Sequence, residues 1–354
     1  MKVLKKILKV LLILVIVLVV LMGALLAWLT IVEYKPEDQE TVTVESLGGE
    51  AKTLATGDSI KIVAWNMGYG ALGDNADFFM DGGKMVYTAD EERVRENLDA
   101  IVSEVKSQNP DIVLLQEIDL NSSRSYYIDQ TSYFDNLGFN NMAFANNFKV
   151  AFFPFPIPPY GKIDSGIATY SSYQTTSATR VQLPCPFSWP VKTINLKRCA
   201  LVTRIPVEGG KELVIVNLHL EAYDDGEGKA AQAQMLMDIL NSETAKGNYV
   251  IAGGDFNQSF SNVPMNYPVY PEQWQPAAMD VSSYEDNWQF IMNNEIPTCR
   301  LLYTPLVGNE NNLQYYMIDG FVVSRNITID SYEIRDLGFV NSDHNPQVLT
   351  ITLN

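Results

Sequence analysis

Hydrophobic and polar positions along this chain follow three rhythms. The first is an uncharged apolar run from Val10 to Val32, preceded by Lys2, Lys5, Lys6 and Lys9. At about 1.5 Å per helical residue, such a run crosses a hydrocarbon core of about 30 Å, which predicts a membrane-spanning helix. The second rhythm belongs to strands. SIKIVAWN (59–66) alternates, and DIVLLQE (111–117) is a continuous apolar run of the kind buried on both faces. The third lies between them, where Val94, Leu98, Ile101, Val102 and Val105 recur at helical spacing until Pro110 stops the pattern. The same succession returns as ELVIVNLHL (212–220), a helix striped by Ala233, Leu236, Met237 and Leu240, and NYVIAGGDFN (248–257).

Further strands are predicted at SGIATYSS, CALVTRIP, YYMIDGFVVS and QVLTITL, several of them joined without room for a helix. The sheets must therefore be mixed. The expected fold is α/β, a four-layer sandwich of two packed mixed sheets flanked by helices and preceded by one N-terminal transmembrane helix. The domain reading is a basic cytoplasmic tail (1–9), a signal-anchor (10–32), a polar extracytoplasmic tether (33–57) and one catalytic domain (58–354), with no linker interrupting the last.

Charge gives the anchor a direction. The four lysines stay cytoplasmic, and Glu33, Glu37, Asp38 and Glu40 lead outward, so the domain is expected outside the cell membrane on a single-pass anchor. A cleaved signal peptide is the competing reading, but its apolar region is usually only about 7 to 15 residues long. The net charge is −17; without the four lysine charges the remainder carries −21. Duplex-binding proteins usually present a basic face, so a nucleic-acid partner is permitted but not favoured, and no protein partner is indicated. Cys185, Cys199 and Cys299 make an odd count for an oxidising compartment, and a Cys185–Cys199 bridge closing a local loop is one arrangement they permit.

Against these strands the polar residues stand out. Asn66, Glu117, His219, Asp255 and Asn257 each fall at or just past the C-terminal end of an apolar strand, and His344 follows Asp343 just before QVLTITL. Taken singly, a strand-end glutamate is usually a solvated terminus, Asp255 and Asn257 after two glycines read as a turn, and a lone histidine is usually structural. Jointly they are harder to dismiss, because His219 and His344 are the only histidines in the chain. Carboxylates and amides without paired His/Cys spacing make a poor zinc site but suit Mg2+, with Mn2+ or Ca2+ as alternatives. Imidazoles beside such an ion can move protons, and phosphate ester hydrolysis is the natural reaction.

The stretches AWNMG, LLQEI, NLHLEAYD, GGDFNQ, MIDGF and NSDHNP, in this order, resemble the endonuclease/exonuclease/phosphatase superfamily, in its deoxyribonuclease-like and neutral sphingomyelinase-like branches. The resemblance implies Glu117, Asn66 and Asp343 at the metal. It implies Asp255 and Asn257 at the phosphate and attacking water, and His344 as the catalytic histidine oriented by Asp319. His219 would contact the phosphate or assist the leaving group. The general base is His344 with Asp319, or Asp255, and the first is preferred. Gly68 stands where the apurinic endonuclease branch has an acidic residue, which argues against base excision. Arg124 either holds a second phosphate or headgroup or pairs with an acid. The Phe152–Tyr160 segment reads as a lipid-facing lip or as a packed loop.

The function expected is that of an exported, membrane-tethered, metal-dependent phosphoric ester hydrolase acting on a phosphodiester, with a lipid headgroup or small phosphorylated metabolite preferred. An extracytoplasmic nuclease of the deoxyribonuclease type is the alternative enzyme. A catalytically inactive surface binding module is the alternative outside that class; a degenerate copy would be expected to lack Glu117, Asp255, Asn257 or His344, and none is missing.

Overall fold

Two strand–helix–strand passages organise the domain. The first joins β3 (Ser59–Asn66) through α2 (Glu91–Gln108) to β4 (Ile112–Asp119), and the second joins β9 (Lys211–His219) through α3 (Glu227–Thr244) to β10 (Tyr249–Asp255). In each, the two strands pair in parallel, as a helical crossover requires. The computed structural model describes residues 2–354 apart from Asp225 and Asn311.

Helix α2 starts where its sequence says it should. The Asp90 carboxylate accepts a hydrogen bond from Arg93 N, and Asn109, in the left-handed region at φ 47°, ends it before Pro110. Val94, Leu98, Ile101 and Val105 are fully buried against the outer face of one sheet. Burial of each stabilises by about 1.5–3 kcal/mol. Asn97, a polar residue, is also fully buried and ties α2 to the loop after β3 by donating to Gly70 O at 2.9 Å. In α3 the stripe through Ala233, Leu236, Met237 and Leu240 covers the other sheet.

The remaining strands of the two large sheets, numbered in chain order within them, are β1 (Gln39–Val42), β2 (Val44–Ser46), β5 (Asn141–Phe153), β6 (Gly161–Ser171), β7 (Ser177–Gln182), β8 (Cys199–Val207), β11 (Trp288–Ile291), β12 (Asp319–Ser324), β13 (Ile327–Ile334) and β14 (Gln347–Leu353). One seven-stranded sheet runs β1-β7-β8-β9-β10-β12-β11, the other β13-β14-β3-β4-β6-β5-β2. Ile60, Ile62, Leu114, Ile215, Ile251, Phe321 and Leu349 fill the layer between them. The four-layer sandwich is thus present, with mixed sheets and the parallel pairs β3/β4 and β9/β10 facing each other across the core.

α1 runs unbroken over Lys2–Ile31, because the lysines before Val10 are good helix formers and continue the apolar helix. Two expectations are corrected. Part of the stretch read as a tether joins the sheets: β1 pairs with β7 and β2 with β5, one at the edge of each sheet. Edge strands need no alternation of buried residues, which is why QETV and VES gave no signal. The three cysteines are free, with Cys185 exposed and Cys199 buried, so no bridge joins them.

A charged cluster fastens α3 to β8. Glu243 takes two hydrogen bonds from Arg204 at 2.6 and 2.9 Å, and one each from Lys246 and Asn248. Burial would raise this carboxyl, but those donors, Arg204 first, hold it down at about 2. A depressed carboxyl stabilises the fold above its unfolded pKa, about 4.3, and loses that contribution as pH falls toward its folded value. Glu243→Gln is therefore expected to cost on the order of 1–3 kcal/mol at pH 7, a figure moderated by the solvent reaching Arg204. Thermal unfolding of both proteins should converge between pH 4.3 and about 2; a pH-independent difference would contradict the pairing.

Candidate active site

All the strand-end residues singled out in the sequence meet at one end of the sandwich. Asn66, Glu117, His219 and Asp255 come from the C-terminal ends of β3, β4, β9 and β10, Asn257 follows β10, Asp319 opens β12, and Asp343 and His344 precede β14. Asp255 Oδ2 is the centre. Asn66 Nδ2 donates to it at 3.0 Å, His219 Nε2 lies 3.4 Å away and His344 Nε2 3.8 Å away. The far nitrogen of His344, Nδ1, lies 2.9 Å from Asp319 Oδ2. His219 Nε2 also lies 4.0 Å from Glu117 Oε1, and His344 Nε2 4.0 Å from Asp343 Oδ2.

Backbone irregularities aim these groups. β4 carries a bulge between Leu115 and Ile118, and within it Glu117 sits at φ 52°, turning its carboxylate toward the cleft. Bulges re-aim side chains in this way beside functional sites. Gly68 has φ +50°, and a Cβ there would stand 2.7 Å from Asp343 Oδ1, so the position that departs from the apurinic endonuclease pattern is also the one that leaves room for Asp343. Gly254 is equally constrained: a Cβ would meet Leu218 O at 2.2 Å. The turn reading of Asp255 and Asn257 holds as well, since Asn257 N donates to Asp255 Oδ1 at 2.8 Å while its side chain donates to Leu220 O.

Asn66 enters differently from a free ligand. Its amide oxygen accepts from Gly68 N and its nitrogen bridges Asp255 and Glu117, so it orients two carboxylates. Burial, then the charge of Asp319, pushes Asp255 up to about 7. Burial likewise pushes Asp343 up to about 7 against the pull of His344, with Glu117 adding to the rise. His219 is held well below the usual histidine value by burial and then by Arg198. Burial would also lower His344, but Asp319 reverses this and keeps it well above that value.

Glu117, His219, Asp255, Asn257, Asp343 and His344 line a cleft that opens to solvent. Its apolar walls include Phe78, Phe148, Leu196, Trp274 and Leu302. The sequence reading missed several cleft residues. Arg198, buried, pairs with Glu221 at 3.3 Å and donates to His219 O. Tyr223 OH donates to Asp81 Oδ1 at 2.9 Å, linking the loops after β9 and β3. Glu221 and Tyr223 lie inside NLHLEAYD, where their distance from His219 was the available signal; Arg198, and Arg300 which also lines the cleft, had none. Arg124 also lines the cleft, but its guanidinium forks onto Asp119 at 2.9 and 3.0 Å in a buried pair, not on the surface.

Comparison with known proteins identifies the family and the fold. The family model "Endonuclease/Exonuclease/phosphatase family" matches residues 63–344. No curated protein matches the chain. Among solved structures, an endonuclease/exonuclease/phosphatase from Beutenbergia cavernae is 16% identical with a TM-score of 0.57, covering 84% of this chain and 72% of that one. The human Nocturnin catalytic domain with bound sulfate anion is 16% identical at TM-score 0.51, covering 88% and 97%. ANGEL2, a 2',3'-cyclic phosphatase, is 14% identical at 0.52, covering 88% and 98%. At these identities the structures establish a shared fold, and the family match over most of the length establishes descent: the chain belongs to the endonuclease/exonuclease/phosphatase family.

Proposed function

We propose that this protein is an exported, membrane-tethered, magnesium-dependent phosphoesterase that hydrolyses a phosphodiester, with a lipid headgroup or small phosphorylated metabolite as substrate. The observation that carries the reading is the convergence of both histidines of the chain on Asp255 Oδ2. A helix long and apolar enough to cross a membrane supports the tether.

The residues fit a divalent cation. Asp343 Oδ1 is buried without a hydrogen-bond partner among the described residues, Glu117 opens onto the same cleft, and burial, with neighbouring carboxylates adding to it, pushes Asp255 and Asp343 up to about 7. Glu117 and Asp343 would hold the ion through hard oxygen ligands, with Asn66 setting the angle of Glu117. When bound, magnesium polarises a phosphoryl oxygen and offsets the charge that builds on it.

The protein's own groups supply the rest. Asp319 occupies Nδ1 of His344, so in the deprotonated ring Nε2 is the atom that takes the proton of the attacking water. Asp255 Oδ2, 3.8 Å from that nitrogen, is the rival acceptor. His219, neutral in its buried position, offers an N–H to a phosphate oxygen or to the departing alkoxide. Asn66 and the Asn257 backbone keep the two oxygens of Asp255 apart in their tasks.

The test uses the full chain in detergent micelles with a bis-aryl phosphate. Magnesium should support turnover and chelator abolish it, and Glu117→Ala should lose roughly 10²-fold or more. Turnover that survives chelation, or an unaffected Glu117→Ala, would remove the basis for the reading. Plasmid cleavage without hydrolysis of sphingomyelin or another lipid diester would replace it with the nuclease.

A further inference from the structure

The domain holds the end of α1 at a fixed height. Leu29 is buried, Leu25 and Leu26 are partly covered, and the turn at Val191–Ile194 packs against the helix. Trp189 Nε1 donates to Thr30 Oγ1 at 3.0 Å, and Lys197 pairs with Glu33 at 3.1 Å. If the apolar stretch starting at Val10 fills a core of about 30 Å, some 20 residues are used, which places Leu29 and Thr30 at the membrane surface. The domain residues that cover Leu25 and Leu26 then reach several ångströms below that plane, at about 1.5 Å per residue.

What the domain exposes there is apolar. Trp189 and Val191 are each at least half exposed, beside Trp28 and Ile31 of the helix. The same turn packs on β5, whose hairpin with β6 ends in PFPIPPYGK, where Phe155 is 62% and Ile157 93% exposed. Phe153 and Tyr160 close the base of that tip ring to ring at 5.8 Å, so the packed part of the segment is its base and the tip stays bare. Tyr160, Phe148 and Leu196 are also walls of the catalytic cleft, so the bare tip adjoins the cleft.

Charge distinguishes this region from the rest of an acidic chain. Residues 141–198 contain six basic side chains and one acid, Asp164. The acidic partners are tucked beneath lysines: Glu33 has a side chain 4% exposed under Lys35 at 62%, and Asp164 14% under Lys149 at 45%. Lys162 and Lys192 lie in the same stretch, and only past Lys35 does the chain turn acidic again, at Glu37 and Asp38.

We propose that Phe155, Ile157, Trp189 and Val191 form a lip that enters the interfacial layer of an anionic lipid bilayer, with the flanking lysines on its headgroups. Aromatic and aliphatic side chains at headgroup level, ringed by lysine, are the chemistry such a surface binds. The lip rests on the reading of α1 as a membrane anchor, and it seats the cleft beside the headgroups instead of out in solution.

The experiment reconstitutes the full chain, with Cys185→Ser removing the exposed native thiol, into vesicles with and without phosphatidylglycerol. Single cysteines at Ile157→Cys, Val191→Cys, Val17→Cys and Glu208→Cys carry an environment-sensitive dye. Glu208, exposed at the β8–β9 turn at the opposite end of the sheet, is the solvent-side control. Dyes at 157 and 191 should shift to the blue and be quenched by brominated lipid as at 17, more strongly with phosphatidylglycerol, while 208 stays aqueous. Quenching at 17 with aqueous emission at 157 and 191 overturns the lip and leaves the anchor standing. Aqueous emission at 17 as well overturns both, and neither result depends on catalysis.

Discussion

His344→Ala is expected to lower kcat/KM for a phosphodiester by about 10²- to 10⁴-fold, the range typical of a positioned proton-transfer group. The loss should fall mainly on kcat, because His344 Nε2 faces Asp255 Oδ2 at 3.8 Å deep in the cleft and not along its apolar walls. Asp319 is 1% exposed, and the substitution leaves it without its imidazole partner. Stability must therefore be recorded beside activity, by thermal unfolding, so that the rate is compared at equal folded fraction. Asp319→Asn should also reduce kcat, since an amide oriented by other neighbours no longer fixes which ring nitrogen carries the proton. A folded His344→Ala protein within tenfold of the wild-type rate would assign the proton transfer to Asp255.

Arg124→Ala should destabilise the fold by about 3–5 kcal/mol, a large share of a typical margin of about 5–15 kcal/mol. Asp119 is fully buried and receives two hydrogen bonds from Arg124, so the truncation strands a carboxylate with only Ser125 Oγ, at 2.7 Å, still donating to it from a side chain. The guanidinium also donates to Tyr160 OH and lies 3.7 Å above the Tyr69 ring, which Arg124→Lys cannot reproduce. Adding Asp119→Asn to the Arg124→Ala protein should recover part of the loss, because the stranded charge is what costs most. The midpoint of urea unfolding reads this directly. Unchanged unfolding with a raised KM would instead make Arg124 a substrate contact.

How much of this was legible depended on periodicity. The apolar runs of β3, β4, β9 and β10 are buried on both faces, so their strand character and the polar residues at their ends could be read along the chain. The bond between His344 and Asp319 was legible only through family resemblance, because no local rule pairs residues of two different sheets. The aim of Glu117 depends on a bulge, and a bulge leaves no mark in the pattern. Arg198 reaches the cleft because β8 pairs with β9, a long-range register that alternation does not encode. Edge strands β1 and β2 escaped because they pair on one side and stay largely wet.

The place of β14 has a consequence in time. It lies between β13 and β3, pairing Gln347 with Ala64 and Thr352 with Ser59. A ribosome making about 5–20 residues per second needs roughly 15 to 60 s to travel from Asn66 to Gln347. During that interval β3 has one open edge, and Asp255, once made, has no His344 beside it. Trp65 Nε1 waits for His344 O, which it binds at 2.9 Å in the finished protein. The cluster around Asp255 is thus completed by one late strand insertion, after every other strand of both sheets has been made.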